Sequence, residues 1–535
     1  MRGASHVRLC PSFCMTMQTF TGCFGLLRLA VCRILRTFAA ETKTKMISMK
    51  KRLLLSTVLL AAIAMGGQAT DYYVSPTGSG SNYTLASPGK LTATVIGKLK
   101  AGDNLYLRGG QYDLANNLSI TRNGTADNMI TICPYQDERP ILDFRTEANK
   151  TNGVTVKGNY LHIKGITIRY AGYKGIWLEE AKYCILEQLD VYGCCNAGIQ
   201  LRSGGYNMVI NCDSHDNFDY QDNGGNADGF ADKQGDACPG NIYIGCRSWN
   251  NSDDGWDSFQ RVTSGTPTVY INCIAYNNGP AYYDLTTHPR VLGKDANLSC
   301  FTGKDLANFP NGGNPNGFKL GGNGTKHNTE LYRCLAVGHR SKGFDQNNNA
   351  GIMKVINCTA YKNKYNYGFG NQYVYTMYAY NNVALSFTSG GSNWQRYKEA
   401  TVYQGNNTWN TGFSCTEADF EGLDVTKIIF AERNADGTLP ETQQFHLKAS
   451  ATNLIDKGKN FTDFEGQYIG DYVTYNGTAP DLGCFEYEDP SGIGLLTFDE
   501  GTPNLNAPRY NLNGQRVDAS YKGIVIQGGR KYVQR

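Results

Sequence analysis

The sequence has few prolines and few sustained apolar stretches at helical spacing. It contains 16 Pro against 62 Gly in 535 residues, together with 35 Tyr and many Asn and Asp. Short alternating runs separated by Gly, Asn and Asp are typical of β-strands joined by tight turns. The composition therefore excludes a large helical domain and favours an all-β fold, and one long solenoid would account for the length.

The chain also lacks an apolar run long enough to span a membrane comfortably. The run Leu53–Met65 is short, follows three basic residues (50–52) and precedes the small-residue stretch 67–69, which is the pattern of a secretory signal peptide. We therefore interpret residues 46–69 as a cleaved signal peptide and residues 1–45 as an upstream segment from a start codon assigned too early. No Cys follows the cleavage site, so we expect a secreted protein without a lipid anchor or membrane span, extracellular or periplasmic, from a Gram-negative bacterium.

The exported chain has no broad basic surface. Residues 1–69 hold 10 of the 51 Lys and Arg but only one of the 47 acids, which leaves 41 basic against 46 acidic residues and a net charge of −5. A protein of that sign has no general attraction for nucleic acid. A polyanionic partner would have to be held by local cations, and nucleic acid is excluded as the expected partner.

Cysteine pairs at metal-binding spacing are missing as well, because no CxxC motif occurs after the signal. The exported chain keeps 13 cysteines, an odd number that cannot pair completely. Five of them recur at one place in a repeated pattern and predict a stack of buried small side chains rather than a disulfide framework: Cys212, Cys246, Cys273, Cys334 and Cys358.

What the sequence does contain is a repeat. In each copy a short alternating strand and a polar turn lead to Gly followed by a large apolar residue, and the inward strand residue lies nine positions before that Gly, as from Ile166 to Gly175 and from Cys246 to Gly255. Successive anchors are 23 residues apart where no loop intervenes. A coil of about that length with three short strands predicts an all-β fold, a right-handed parallel β-helix, over residues 70–488.

Two copies of the repeat are longer at the same place. The step from Cys212 to Gly229 contains eight extra residues, and the step from Cys273 to Gly317 contains 35. Both insertions enter at one corner of the coil, and loops gathered on one face of a solenoid usually frame a binding cleft. We expect Tyr282, Tyr283 and Phe301, in the longer insertion, to pack the loop, with stacking on sugar rings as the alternative.

The ends of the helix are less regular. Residues from 71 to about 114 predict an N-terminal cap and the first coils, and residues near 395–488 predict its end, with 480–488 as a closing strand. After residue 488 the composition changes, and residues 489–535 predict a small separate β tail. That tail is similar to the C-terminal sorting tails of secreted Bacteroidetes proteins.

The repeat places acidic residues above one another. Asp228 and Asp254 each precede an aligned Gly in neighbouring coils, Asp257 lies two residues after the second Gly, and Asp253 belongs to the same turn. Four clustered carboxylates repel strongly unless a cation lies among them, and a set of oxygen ligands without His or Cys favours Ca²⁺. The alternative is that each Asp merely caps backbone amides in its turn.

Lys319 occupies the position of Asp257 one coil later. This position predicts that the Lys319 amine lies beside the metal. A neighbouring dication lowers the proton affinity of the amine and makes it a competent base. A surface ion pair with Asp257 explains the same position equally well. Asp345, one coil further on, has only a structural interpretation.

Three motifs, NADGFA, NNSDDGWDSF and NGFKLGG, occur in this order along the repeat. With most of residues 71–390 they resemble polysaccharide lyase family 9, the calcium-dependent pectate lyases and their relatives. The resemblance implies cleavage of an acidic plant polysaccharide by β-elimination, with Lys319 as the catalytic base. It also implies that the calcium ligands are Asp228, Asp253, Asp254 and Asp257.

Three questions stay open at the level of sequence. The long insertion before Lys319 departs from the family pattern, so rhamnogalacturonan competes with pectate as the substrate. A hydrolase of the polygalacturonase type on the same fold needs paired carboxylates but neither a metal nor a Lys, and a non-catalytic β-helix that binds glycan is the third reading. No residue indicates itself as the general acid, and a monomer is expected.

Overall fold

The computed structural model describes residues 69–460, 472–488 and, in the tail, 509–510, 516–518, 520, 523–527 and 530–534. The upstream segment 1–45 and residues 46–68 of the proposed signal peptide lie outside the described residues. No helix in the described part of the chain is long and apolar enough to cross a membrane.

The main body is a solenoid of parallel strands, as predicted. One face, sheet A, has twelve strands, each paired in parallel with the strand of the preceding coil. Its strands are Asp71–Val74, Asn104–Leu107, Ile130–Pro134, Leu161–Lys164, Ile185–Glu187, Met208–Ile210, Ile242–Ile244, Thr268–Ile271, Thr329–Tyr332, Ile352–Ile356, Thr376–Tyr380 and Thr401–Gly405.

Two further ladders form the other faces of the coil. Sheet B contains Gly110–Asp113, Pro140–Asp143, Thr167–Arg169, Asp190–Tyr192, Asp213–His215, Arg247–Trp249, Ile274–Tyr276 and Leu335–Val337. Sheet C contains Leu118–Ile120, Val154–Val156, Ile176–Glu179, Ile199–Arg202, Phe230–Lys233, Trp256–Asp257, Phe318–Lys319 and Lys342–Asp345. The long strands Thr359–Phe369 and Val383–Arg396 continue both ladders.

The predicted column of anchors is buried in the core. The side chains of Ile166, Leu189 and the five recurrent cysteines are at most 2% exposed, and the backbone amide of Leu189 approaches the Cys212 sulfur at 3.4 Å. All 13 described cysteines are free thiols. Stacking of like residues at one place in each coil therefore fixes the register of the solenoid.

A ladder of buried asparagines accompanies the corner between sheets B and C. Asn217 donates to the Asn251 side chain at 2.8 Å, and Asn251 donates to Asn278 at the same distance. Each amide satisfies the polar backbone of a turn that water cannot reach. The ladder holds this corner in register at the place where the chain inserts its loops.

Both insertions leave the coil at the corner between sheets B and C, as predicted. The longer one contains a short antiparallel pair, Tyr282–Tyr283 with Phe309–Pro310, and runs back along the solenoid. Its Arg290 is fully buried and donates to the backbone carbonyls of Phe144 and Glu147 at 3.1 Å. The insertion is therefore attached to coils far before its own position in the sequence.

The end of the solenoid differs from the prediction. Residues 480–488, expected to be a closing strand, have no regular structure. The segment after the last strand of sheet A folds back, and Phe420, Ile428 and Leu454 pack against residues of sheet B such as Ile274. The predicted strand is wrong because contacts with sheet B, rather than strand pairing, bury the apolar side chains of this segment.

The remaining elements are short. They are the helices Ala93–Lys98, Pro289–Leu292 and Thr426–Ile429, the 3₁₀ turns Ser299–Phe301 and Glu417–Asp419, and the parallel pair Gly235–Cys238 with Arg261–Thr263. The described tail residues form antiparallel strands Arg509–Tyr510, Arg516–Val517, Gly523–Gln527 and Arg530–Gln534. The separate β tail over 489–535 and its role in sorting stay predictions.

Candidate active site

The acidic residues meet where the corner turns enter sheet C. The amide of Gly229 donates to the carbonyl of Asp254 at 3.0 Å, which places Asp228 one coil from Asp254. Strand pairing puts Ala231 beside Asp257 and Asp257 beside Lys319. The stacking that the repeat predicted is therefore present over three consecutive coils.

The four carboxylates form one compact group. One oxygen of each lies within 4.8 Å of the others, and all four side chains are buried: Asp228, Asp253, Asp254 and Asp257. Burial, reinforced by the neighbouring carboxylates, raises the pKa of Asp228 to about 8 and that of Asp254 well above its ordinary value. Without a compensating cation, this arrangement disfavours the charged forms of Asp228 and Asp254.

Asp257 behaves differently from the other three. Its burial acts to raise the pKa, but Lys233 and Lys319 outweigh that effect and hold the pKa of Asp257 below its usual value. The Lys233 ammonium lies 2.7 Å from Asp228 and 2.6 Å from Asp257. The Lys319 ammonium lies 2.9 Å from Asp254 and 3.2 Å from Asp257. Two lysines thus balance part of the charge of the four carboxylates.

Sequence reasoning missed Lys233. It follows Ala231 by two residues on the same strand of sheet C, so it belongs to the same outward face as the aligned site positions. The alternation of inward and outward side chains along the strand could have identified Lys233 from the sequence. Its contact with two coils depends on the path of a long flexible side chain, which the repeat does not specify.

The long insertion helps to orient the carboxylates. The amide of Asn314 donates to Asp253 at 2.5 Å, and the side chain of Asn316 donates to Asp254 at 2.8 Å. The amide of Phe259 donates to Asp257 at 2.9 Å. These contacts fix one oxygen each of Asp253, Asp254 and Asp257.

The residues present fit a calcium ion. All four acids offer hard oxygen ligands, no His or Cys belongs to the cluster, and Asp228 Oδ1 is buried without a hydrogen-bond donor among the described residues. A buried acceptor without a donor is costly, and a cation relieves that cost. The alternative, that each Asp only caps its turn, does not account for this oxygen or for the convergence of all four.

Other candidates from the sequence have structural roles. Asp345 pairs with Lys342 at 2.7 Å. Tyr283 stacks on Phe218 with ring centroids 4.3 Å apart, so it packs the insertion as expected. Tyr282 is 63% exposed.

Comparison with known proteins identifies the family. Residues 72–382 match the family described as "Pel9A-like, right handed beta helix region". Pectate lyase L of Dickeya dadantii (strain 3937) is 35% identical over 430 residues, which cover 78% of this chain and 90% of that protein. Pectate lyase PEL9 of Emericella nidulans is 29% identical over 415 residues, 74% of this chain and 96% of that protein.

Solved structures agree. The crystal structure of pectate lyase Pel9A superimposes with a TM-score of 0.65 at 33% identity, covering 79% of this chain and 98% of the other. A rhamnogalacturonan lyase with 23% identity and a TM-score of 0.58 shares the fold. These likenesses define the protein as a polysaccharide lyase. More particularly, the chain belongs to the Pel9A-like β-helix family, which confirms the resemblance to polysaccharide lyase family 9.

Proposed function

We propose that this lyase cleaves pectate by calcium-assisted β-elimination, with Lys319 as the base. The observation that carries the proposal is the position of the Lys319 ammonium, within 3.2 Å of two carboxylates of an all-oxygen cluster. The names of the relatives support pectate as the polymer. We assign the calcium to Asp228, Asp253, Asp254 and Asp257.

The chemistry explains why these groups are needed together. In a uronic acid the hydrogen on C5 is α to a carboxylate, so its removal adds negative charge to a group that is already anionic. Bound among the four acids, calcium would attract that carboxylate, spread the developing charge and balance the acids that otherwise keep Lys319 protonated. The Lys319 amine takes the C5 proton, the C4–C5 double bond forms as the C4–O bond breaks, and water protonates the departing oxygen.

The orientation of Lys319 follows from the strand that carries it. It pairs with Asp257 on one side and with Asp345 on the other, so its side chain leaves the sheet over the carboxylate cluster. The raised pKa of Lys319 has its cause in these acids, which outweigh the opposing effect of burial. The residue is therefore held at the cluster in its protonated state until the acids are neutralised.

Product analysis tests the reaction type and the polymer together. The enzyme is incubated with polygalacturonate and, in parallel, with rhamnogalacturonan, and the products are analysed by mass spectrometry. Elimination leaves an unsaturated uronate end and adds no water, whereas hydrolysis adds one water for each bond cleaved. Unsaturated oligogalacturonates are the expected result. Saturated products would contradict a lyase, and unsaturated products from rhamnogalacturonan alone would replace pectate as the substrate.

Lys233 is expected to compete with calcium. Its ammonium bridges Asp228 and Asp257, so Lys233→Met should raise calcium affinity about tenfold. The same change should lower the free energy of unfolding of the calcium-free protein by about 3 kcal/mol, because the buried acids lose their counter-ion. Titration calorimetry and melting in chelator measure both. Lys342→Met, which removes a lysine paired with Asp345 outside the cluster, is the matched control. Unchanged calcium affinity in Lys233→Met would contradict the competition.

We also propose that the protein is exported and cleaved before Thr70. The basic residues 50–52, the apolar run Leu53–Met65 and the small residues 67–69 support this cleavage, and Asp71 starts the first strand of sheet A. Sequencing the N-terminus of the protein recovered from the culture medium or periplasm tests the cleavage site. A mature chain that begins upstream of residue 46 would contradict it.

A further inference from the structure

A second group of residues lies on sheet C in the same two columns as the site, nearer the N-terminus. The amide of Gly175 donates to the carbonyl of Ala197, and Gly198 donates to Asp228, so Lys174 lies two coils before Asp228. Strand pairing likewise carries the column of Asp257 back through Ala231 and Gln200 to Trp177. With a spacing of about 4.8 Å per coil, Lys174 is roughly 10 Å from Asp228 along the solenoid.

Lys174 is a buried lysine whose ammonium makes no ion pair with a described acid. Its side chain belongs to a residue that is only 9% exposed, and among the described residues no ion pair or hydrogen bond involves its ammonium. The ammonium lies 3.6 Å from the ring centroid of Tyr173 and 5.3 Å from that of Trp177. Burial, with the nearby Lys233 and Arg202, outweighs the opposing effect of Asp219 and Glu179 and lowers its pKa to about 7. A lysine in such surroundings is costly unless an anion joins it.

Two neighbouring side chains, Trp177 and Arg202, could also contact a bound ligand. The Trp177 indole nitrogen is buried without a hydrogen-bond acceptor among the described residues, although the residue itself is half-buried on the outward face of its strand. Arg202 is exposed and pairs in register with Lys233 on one side and with Glu179 on the other. Glu179 forms its ion pair with Lys157, and no ion pair of Arg202 occurs among the described residues. The lysines of the site, by contrast, each contact two carboxylates. The cations at Lys174 and Arg202 are therefore available to an external anion.

We propose that Lys174, Trp177 and Arg202 form a distal subsite for a carboxylate-bearing sugar of the polyuronate chain, with the polymer lying along sheet C towards the N-terminal coils. This inference rests on the proposed function and adds the direction and reach of the bound substrate. A pyranose unit is roughly as long as one coil rise, so a chain anchored at the calcium cluster presents another carboxylate near Lys174 after about two to three sugars. The half-buried indole of Trp177 offers a ring face for sugar stacking, and the two cations bind the carboxylate.

Binding measured against oligomer length tests the subsite. Lys319→Ala serves as the parent because it is expected to bind without turnover, and saturated digalacturonate and octagalacturonate are titrated into it in calcium by calorimetry. Adding Lys174→Met should weaken the octamer about tenfold or more and leave the dimer unchanged, since only the longer chain spans both places. Lys182→Met, an exposed lysine in the turn that follows the same strand of sheet C, is the control and should change neither.

The stability of the variants and the remaining binding outcomes distinguish the distal subsite from the proposed function. Lys174→Met should have a melting temperature equal to or above that of the parent, because it replaces an unpaired buried cation by an apolar side chain. If Lys174→Met does not fold, Arg202→Gln is tested in its place, with the same expected dependence on oligomer length. Unchanged octamer binding, or an equal loss for both oligomers, would overturn the distal subsite. A parent that binds neither oligomer, from a wild type that forms no unsaturated product, would overturn the proposed function itself.

Discussion

Lys319→Ala is expected to lower the rate of unsaturated product formation by about 10²- to 10⁴-fold, the range typical of a lost general base. The side chain contacts Asp254 and Asp257. Among the described residues, the other amine that reaches Asp257 is Lys233, two coils earlier. The rate is followed by ultraviolet absorbance on polygalacturonate at saturating calcium. Calcium affinity should stay the same or rise, because the change removes a positive charge from the cluster.

Lys319→Arg distinguishes a role for Lys319 as a general base from a role as an ion-pair partner only. Arginine keeps the positive charge and can reach the same carboxylates, but its guanidinium does not lose a proton in proteins. The arginine variant should therefore fold normally and be nearly as inactive as the alanine variant. A rate close to that of the wild type would show that Lys319 acts only as a counter-ion, and the proton acceptor would have to be sought elsewhere.

Asp257→Asn is expected to weaken calcium binding by about 100-fold or more and to remove activity with it. Asp257 is the acid that contacts both lysines, its oxygen belongs to the four-carboxylate group, and its pKa is held low by those lysines, so it is the member most fully ionised before calcium arrives. Removing one ionised ligand from a hard oxygen site lowers both the charge and the ligand number. Titration calorimetry with calcium gives the affinity directly.

Asp345→Asn is the matched control for that variant. Asp345 belongs to the same column of sheet C, on the far side of Lys319, and pairs with Lys342 instead of the cluster. Its replacement should change calcium affinity by less than about twofold, since two coil rises separate it from Asp257. Equal losses in the two variants would indicate a general electrostatic effect of the sheet and would contradict a localised metal site.

The fold and the position of the site could be predicted because a solenoid repeats its geometry. The nine-residue step from Ile166 to Gly175 recurs wherever no loop intervenes, and it aligns Asp228 with Asp254 without any knowledge of the coordinates. A parallel ladder turns equal positions in the repeat into neighbours in space. The four acids and Lys319 were therefore found from spacing and motif together.

What the repeat could not supply is what depends on side-chain paths and on non-local packing. Lys233 bridges two coils through a flexible chain that periodicity leaves undetermined. Residues 480–488 have the apolar content of a strand, yet Leu482 and Cys484 are buried by the cluster on sheet B, where no ladder partner is required. The attachment of the long insertion through Arg290 is likewise a contact between distant parts of the sequence.

The measurement that tests the central claim most directly is the ultraviolet absorbance of unsaturated uronate released from polygalacturonate, recorded with calcium, with excess chelator, and after calcium is restored. The account predicts a rise that the chelator abolishes and restored calcium recovers in the wild type, and almost no rise in Lys319→Ala under any of the three conditions. Product formation that continues in chelator, by protein shown to be calcium-free, would contradict a mechanism built on the four carboxylates and Lys319.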